Sequence, residues 1–259
     1  MKTTYLTGYI SVAAALLSGN RKICRVYLDK GRLEKIKRSD YYQTEKRQYA
    51  FIKSRTAASG IKTTMLEADE FAARFETDSG GFAVETGERR FTPVEELLLM
   101  EKPYLAAIDG IEDPYNLGHI LRSFYASGVD GVVISARDRF VSTPTVVKSS
   151  AGASEYLKIA AVKSMEDFCD SASQAGIKLY ATTSEKGSEN LYSTKFARPL
   201  CVFFGGERRG ISMKIIQRCD SALSIIYPRP TDIALSASSA AAVIAFEIGR
   251  RILSQFQLK

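Results

Sequence analysis

The second half of the chain alternates apolar runs with helix-like segments, and this alternation constrains the fold more than any other feature. Tyr104–Ile111 and Leu200–Phe204 are continuous apolar runs, the pattern of strands buried on both faces of a parallel sheet. Asn116–Ser127, Ser164–Gly176 and Ser238–Gln255 have helical spacing, and the second begins with a capping serine and ends at a glycine. Further strands are predicted at Gly131–Ser135, Glu155–Val162, Lys178–Thr183 and Leu223–Tyr227. The sequence therefore predicts an α/β fold in which helices cover both faces of a parallel sheet.

The first hundred residues have shorter elements. Helices are predicted at Tyr9–Leu17 and Thr44–Ala58, and strands at Ile23–Leu28 and Ile61–Met65. The segment 86–101 is polar and acidic, and we place a domain boundary at its end. The 259 residues are thus divided into a small α/β domain at 1–101 and a larger parallel-sheet domain at 102–259.

Positive charge is concentrated in the first of these domains. Between Arg21 and Lys62 there are 13 Lys and Arg against four acidic residues, whereas residues 63–101 have three against ten. Such a stretch favours a polyanionic partner, although a solvated helix face has the same composition. Aromatic residues are interleaved with the charge and could stack on bases, which favours RNA; they include Tyr27, Tyr41, Tyr42, Tyr49 and Phe51.

Composition excludes several other classes of protein. The 45% hydrophobic and 25% charged content is typical of a globular protein, and no apolar run is long enough to span a membrane. We find no cleavage site near the start and expect a cytoplasmic protein. With His119 as the single histidine and no C-x-x-C pair, we expect no metal site and no Cys–His catalytic pair. The four cysteines are expected to be reduced and mostly buried.

Three polar or glycine-rich loops follow predicted strands, at 113–122, 204–212 and 225–238. In an open parallel sheet, ligands bind beyond the carboxyl ends of the strands. None of the loops contains the Gly-x-Gly-x-x-Gly pattern or a Walker A motif, and each by itself is compatible with ordinary turns.

Together, the three loops resemble the signature motifs of the SpoU/TrmH family of SPOUT RNA methyltransferases. The third family motif reads Ser-Leu-Asn-Val-Ser, whereas residues 234–238 read Ala-Leu-Ser-Ala-Ser, so that Ser236 stands where the family has Asn. The resemblance covers residue 102 to the C-terminus, and the first hundred residues more loosely resemble the small ribosomal-protein-like RNA-binding domain of many members. The positions that match the first two motifs are Asn116, Gly118 and Arg122, then Gly205, Glu207 and Gly210.

The resemblance implies transfer of a methyl group from S-adenosylmethionine to a ribose 2′-hydroxyl of structured RNA, with ribosomal RNA favoured over transfer RNA. It also implies a deep trefoil knot and a homodimer formed through the SPOUT domain. The last helix offers an apolar face for this contact, with Ala240, Ala241, Ala242, Val243, Ile244 and Phe246. By resemblance, the cofactor-binding residues are Thr182, Gly205, Glu207, Ile225 and Leu235, and the catalytic residues are Arg122, Asn116, Glu207 and Ser236.

Physical chemistry narrows some of these roles. A ribose hydroxyl is a poor nucleophile, so it must be positioned and its developing charge stabilised. The guanidinium of Arg122 suits a phosphate, and since free Arg stays protonated, we favour orientation and charge stabilisation over proton abstraction. Asn116 is also suited to cap its helix, and we expect Glu207 to bind loop backbone or Arg122. Gly205 is expected to let the backbone approach the cofactor closely.

Other interpretations remain open at this point. Ile225 and Leu235 are almost as well explained as core residues, and His119 either contacts the substrate or lies on a helix surface. Because the third motif is altered, the chain could be an RNA-binding protein that retains the knot and has lost methyl transfer. A nicotinamide oxidoreductase is disfavoured because the glycine-rich fingerprint is absent.

Overall fold

The computed structural model describes residues 3–35, 37, 40–75, 79–137, 139–184, 187–229 and 233–257. The chain divides into two compact units: Met1–Arg90 with Ser142–Tyr156, and Phe91–Val141 with Leu157–Lys259. The predicted boundary at residue 101 is therefore displaced. Residues 86–89 continue a strand of the first unit, and a segment from far along the chain joins that unit.

In chain order, the elements are β1 (Thr4–Thr7), α1 (Tyr9–Ser18), β2 (Arg21–Asp29), α2 (Arg32–Lys35), α3 (Tyr42–Ala58), β3 (Thr63–Leu66), α4 (Ala68–Arg74), β4 (Phe82–Arg89), α5 (Val94–Leu98), β5 (Tyr104–Asp109), α6 (Pro114–Ser127), β6 (Gly131–Ser135), a 3-10 helix (Arg139–Ser142), α7 (Pro144–Ser149), α8 (Ala153–Tyr156), β7 (Lys158–Val162), α9 (Met165–Gln174), β8 (Lys178–Thr182), β9 (Glu189–Asn190), β10 (Leu200–Gly205), α10 (Met213–Ile216), β11 (Ser221–Ser224) and α11 (Ala237–Gln257).

The first unit is built on a four-stranded mixed sheet in the order β1-β4-β2-β3. Strand β4 is antiparallel to both of its neighbours, and β2 and β3 are parallel. Val26 and Leu28 pack with α1 and α3, whereas Tyr27 packs with Phe71 of α4. Because successive strand residues point to opposite faces, helices cover both faces of this sheet.

A buried cluster of three charges joins α8 to the sheet of the first unit. Arg21 Nε lies 2.9 Å from Glu155 Oε2, and Arg89 Nη1 lies 3.3 Å from Glu155 Oε1. The side chains of the two arginines are 1% exposed and that of Glu155 is fully buried. The short helix α8 directs Glu155 toward both arginines. Residues 155–157 were predicted to belong to a strand. That prediction is wrong, because β7 begins only at Lys158.

The second unit contains a seven-stranded sheet in the order β7-β6-β5-β10-β8-β11-β9, and all its pairings are parallel. Leu105 and Ala107 of β5 share a core with α9 and α10. On the opposite face, the hydroxyl of Tyr104 donates a hydrogen bond to Ala245 of α11. Helices thus cover both faces, which confirms the predicted α/β class and parallel sheet.

Several element boundaries differ from the sequence prediction. Helix α6 begins at Pro114 rather than at residue 116, because Asp113 caps it. Strand β11 ends at Ser224, so that residues 225–227 form a loop. Ser164 caps α9 as predicted. Among the described residues, we find no helix that is both long and apolar enough to cross a bilayer.

Candidate functional site

The three loops singled out by the sequence meet around one cleft at the carboxyl edge of the second unit's sheet. The strands β8, β10 and β11 end at this edge, and β8 pairs with the other two. The cleft has a volume of ≈ 590 Å³. Six residues that the sequence analysis assigns to the site line it: Thr182, Gly205, Glu207, Ile225, Leu235 and Ser236.

The loop after β10 makes tight turns that only glycine residues allow. A Cβ atom at Gly205 would overlap the backbone of Gly210, and one at Gly206 would overlap the carbonyl oxygen of Gly110. Gly210 has a φ of +60°, and its amide donates to the carbonyl of Gly206 at 2.9 Å. Gly205 is thus required because the loop packs closely on itself. The sequence analysis expected a different reason, the close approach of the backbone to the cofactor.

Glu207 connects the three motifs. Its Oε1 accepts hydrogen bonds from Asn116 Nδ2 at 3.3 Å and from the backbone N–H of Ala237 at 3.2 Å. The hydroxyl of Ser238 donates to Asn116 Oδ1 at 3.3 Å. The carboxylate therefore holds the starts of α6 and α11 together. Its negative charge also interacts favourably with the partial positive charge at the first turn of α11.

Asn116 does not cap its helix. The side chain of Asp113 accepts hydrogen bonds from the backbone N–H groups of Tyr115 and Asn116 and occupies the capping position. The amide side chain of Asn116 is consequently available to Glu207 and Ser238. A smaller cavity of ≈ 180 Å³ lies beside this network, and Glu207 and Ala237 line both it and the cleft.

Arg122 lies apart from this network. It is exposed on α6 and lines neither cavity. Within the described part of the chain we find no hydrogen bond or ion pair of Arg122. Of the two kinds of partner expected for Glu207, a backbone N–H, that of Ala237, is the one it binds, and not Arg122. His119 is one turn away and is also exposed. The guanidinium is therefore available to a ligand outside the cleft.

Ser236 lies at the start of α11. Its hydroxyl accepts a hydrogen bond from the backbone N–H of Ser239 at 3.2 Å, the contact of a helix cap. It also lies 3.1 Å from the hydroxyl of Ser238. Of the preceding loop, residues 230–232 are outside the described ranges.

The sequence analysis missed Tyr227, which lines the cleft and whose hydroxyl accepts a hydrogen bond from the backbone N–H of Leu235 at 3.2 Å. It also missed Ser184, another lining residue. Both follow strands that end at the carboxyl edge, and this position is the signal that could have identified them.

The four cysteines lie away from the cleft. Cys24 is exposed, Cys169 and Cys201 are buried, and no cysteine lines the cleft. Burial raises the pKa of Cys169 to about 11 and that of Cys219 to about 12, so both stay protonated at neutral pH. In the described ranges, no group of three His, Cys, Asp or Glu side chains is placed to hold a metal ion.

The protein is of the α/β class, with a parallel sheet and a cleft at the carboxyl edge of that sheet, the edge at which open parallel sheets bind ligands. A family model described as the SpoU rRNA Methylase family matches residues 103–246, more than half of the chain. The chain belongs to this family.

Related proteins agree with this assignment. The chain is 29% identical, over 95% of its length and 62% of the relative's, to an uncharacterized tRNA/rRNA methyltransferase of Synechocystis sp.. It is 33% identical, over 56% of its length and 57% of the relative's, to a putative TrmH family tRNA/rRNA methyltransferase of Staphylococcus saprophyticus. The chain thus spans about 60% of the length of these curated relatives.

Solved structures share the fold. The SpoU methyltransferase AviRb from Streptomyces viridochromogenes, in complex with AdoMet, superposes with a TM-score of 0.75 at 20% identity, covering 97% of this chain and 91% of that one. An AdoMet-bound rRNA methyltransferase from Sinorhizobium meliloti gives a TM-score of 0.74 at 22% identity, covering 96% and 87%. At these identities the likeness shows the fold alone.

Proposed function

We propose that this protein is an S-adenosylmethionine-dependent RNA methyltransferase that modifies a ribose 2′-hydroxyl of structured RNA, ribosomal RNA in preference to transfer RNA. The observation that carries the proposal is the convergence of Thr182, Gly205, Glu207, Ile225 and Leu235 on one cleft. Family membership and the AdoMet in AviRb support the choice of cofactor.

The cleft suits this cofactor. Its volume of ≈ 590 Å³ lies within the range of small-molecule sites, roughly 300–1,000 Å³. Ile225, Leu235 and Ile244 provide apolar walls, and the glycine loop presents backbone groups that can read an adenine edge without charged side chains. When bound, S-adenosylmethionine supplies an electrophilic methyl group attached to a sulfonium.

Other residues of the chain position the helices around the cleft, bind the RNA and stabilise charge during the reaction. Asn116, Glu207 and Ser238 hold the starts of α6 and α11 together, and Glu207 lines both cavities. We assign the smaller cavity to the target nucleotide because it shares Glu207 with the cleft. Arg122, exposed on α6, binds a phosphate of the RNA and stabilises the charge that develops on oxygen. Ser236 positions the first turn of α11.

The proposal includes the wider organisation of the molecule. The first unit binds RNA, the second unit forms the catalytic domain with a deep trefoil knot, and the protein acts in the cytoplasm as a homodimer. Ala241 and Ile244 are buried in their own unit and cannot form the dimer face that the sequence suggested. Phe246 and Leu253 of α11 are 50% and 61% exposed and can form it with the exposed side of α6.

A direct test is transfer of labelled methyl groups from S-adenosylmethionine to total RNA, followed by mapping of 2′-O-methylated positions. RNA from a strain that lacks the gene is the substrate, and parental RNA is the control. We expect one site that is methylated in the parent, absent in the deletion strain and restored by the purified protein. Methylation of a base, or of no RNA, would contradict the proposal.

One observation favours a second candidate, an RNA-binding protein that has lost methyl transfer. Ser236 replaces the Asn of the family motif, and its hydroxyl is engaged at the start of α11. Cofactor binding together with RNA binding and no transfer would identify this candidate.

A further inference from the structure

One wall of the cleft in the second unit is a loop between a strand and a helix. Strand β11 ends at Ser224, and α11 begins at Ala237. Both ends of the loop line the cleft, the first with Ile225 and Tyr227 and the second with Leu235. The shape of the cleft on this side therefore depends on how the two ends of the loop are held relative to each other.

Apolar packing holds these two ends weakly. Tyr227 is 40% exposed, Leu235 is 39% exposed, and the neighbouring Ile226 is 50% exposed. Because side chains that remain this accessible bury little apolar surface, the hydrophobic effect contributes little to the conformation of the loop. A hydrogen bond between the two ends has a correspondingly larger share in fixing that conformation.

Such a hydrogen bond is present. The hydroxyl of Tyr227 accepts it from the backbone N–H of Leu235 at 3.2 Å, across eight positions of the chain. In the part of the chain that the structure describes, we find no other hydrogen bond of residues 225–229 or of residues 234 and 235. The next residue, Ser236, caps the first turn of α11. The hydroxyl of Tyr227 therefore connects the segment after β11 to the start of α11.

We propose that Tyr227 is a positioning residue of the cofactor site, whose hydroxyl holds Leu235 in place before S-adenosylmethionine binds. The proposal rests on the cofactor cleft of the proposed function. Without the hydrogen bond, the free loop takes up additional conformations. The apparent affinity for the cofactor then falls with the fraction of molecules whose loop is in the binding conformation.

The test compares the full-length wild type with Tyr227→Phe, which keeps the ring and removes only the oxygen that accepts the hydrogen bond. Tyr192→Phe is the matched control, because Tyr192 is a tyrosine of the same unit that is 44% exposed and does not line the cleft. Three properties are measured for each protein. They are the hydrogen-exchange rate of the Leu235 amide, the affinity for S-adenosylmethionine by calorimetry, and kcat and KM for this cofactor in methyl transfer to RNA.

We expect the Leu235 amide of the free protein to exchange faster in Tyr227→Phe than in the wild type and in the control. Affinity for S-adenosylmethionine should fall about fivefold in Tyr227→Phe, the size of one hydrogen bond between uncharged groups. KM for the cofactor should rise by the same factor, and kcat at saturating cofactor should not change, because the loop holds substrate and transition state equally. A general loss of folded protein would instead lower kcat and leave KM unchanged.

Unchanged cofactor affinity in Tyr227→Phe would overturn the proposal, whatever the exchange rate of the Leu235 amide. A lower kcat with an unchanged KM would also contradict it, and so would an equal loss of affinity in Tyr192→Phe. The expected loss of affinity in a protein whose wild type transfers no methyl group would support the role of Tyr227 and contradict the proposed catalytic function.

Discussion

Arg122 is the residue on which the catalytic proposal depends most directly. Its guanidinium is exposed on α6 and has no partner within the described ranges. A planar fork that binds phosphate in two places cannot be replaced by the point charge of Lys. We therefore predict that Arg122→Lys and Arg122→Ala each reduce single-turnover methyl transfer by about a hundredfold, the scale of one lost electrostatic contact in a transition state.

Cofactor affinity should be retained in both Arg122 variants because Arg122 does not line the cleft. Calorimetric titration with S-adenosylmethionine checks this point. Arg218→Ala serves as a control, since Arg218 is a partly exposed Arg that pairs with Asp170 in the same unit. Wild-type transfer by Arg122→Ala would remove Arg122 from the mechanism and favour the binding protein without transfer activity.

At the scale of elements, the loop after β10 determines the shape of the cleft. Any side chain at Gly205 would displace the backbone of Gly210, which is part of the loop itself. We predict that Gly205→Ala keeps the protein folded and lowers affinity for S-adenosylmethionine by at least about tenfold. The expected cause is displacement of the loop that carries Glu207.

The matched control for Gly205→Ala is Gly87→Ala in β4. A Cβ atom there would lie 3.6 Å from that of Lys22, an ordinary contact. Circular dichroism establishes folding, and calorimetry measures cofactor affinity. Undiminished affinity in a folded Gly205→Ala protein would show that the loop does not shape the cofactor site.

Local pattern was sufficient to predict most elements, and residues of the loops that follow predicted strands line the cleft. Apolar runs identified β5, β6 and β10, and Ser164 identified the start of α9, because these signals depend on near neighbours in sequence. The start of α6 was misplaced because both Asp113 and Asn116 suit a helix cap, and only the folded contacts distinguish them. The strand predicted at Glu155 failed because its charge is satisfied by Arg21 and Arg89, more than sixty residues away in sequence.

At the scale of the whole molecule, the same buried charges limit where the chain can be truncated without loss of folding. Glu155 is the carboxylate partner of both Arg21 and Arg89, and all three side chains are almost completely buried. Removing its charge takes this carboxylate partner away from two buried guanidinium groups. We predict that Glu155→Gln lowers the free energy of unfolding by about 3–5 kcal/mol.

Chemical denaturation checks this prediction, with Glu96→Gln as the control. Glu96 pairs with Lys158 at 2.9 Å, but both side chains are about half exposed. Removing an exposed pair should change the free energy of unfolding by about 1 kcal/mol or less. Equal effects of the two substitutions would show that the buried cluster does not stabilise the first unit.

The dependence of the first unit on residues 142–156 also determines how its role in RNA binding should be tested. Deletion of residues 1–101 would leave Glu155 without Arg21 and Arg89, so loss of activity could reflect misfolding. Surface substitutions avoid this difficulty. Lys46 and Lys53 are exposed on α3 and seven residues apart, which places them on the same side of the helix.

We predict that Lys46→Gln combined with Lys53→Gln weakens RNA binding and lowers the slope of log affinity against log salt by about 2, because each phosphate contact releases counterions. Cofactor affinity should not change, since neither residue lines the cleft. The control combines Lys195→Gln and Lys214→Gln, two exposed lysines of the second unit. An equal change of slope in the control would mean that RNA senses only the net charge of the protein. A slope unchanged by the α3 substitutions would show that this helix does not bind RNA.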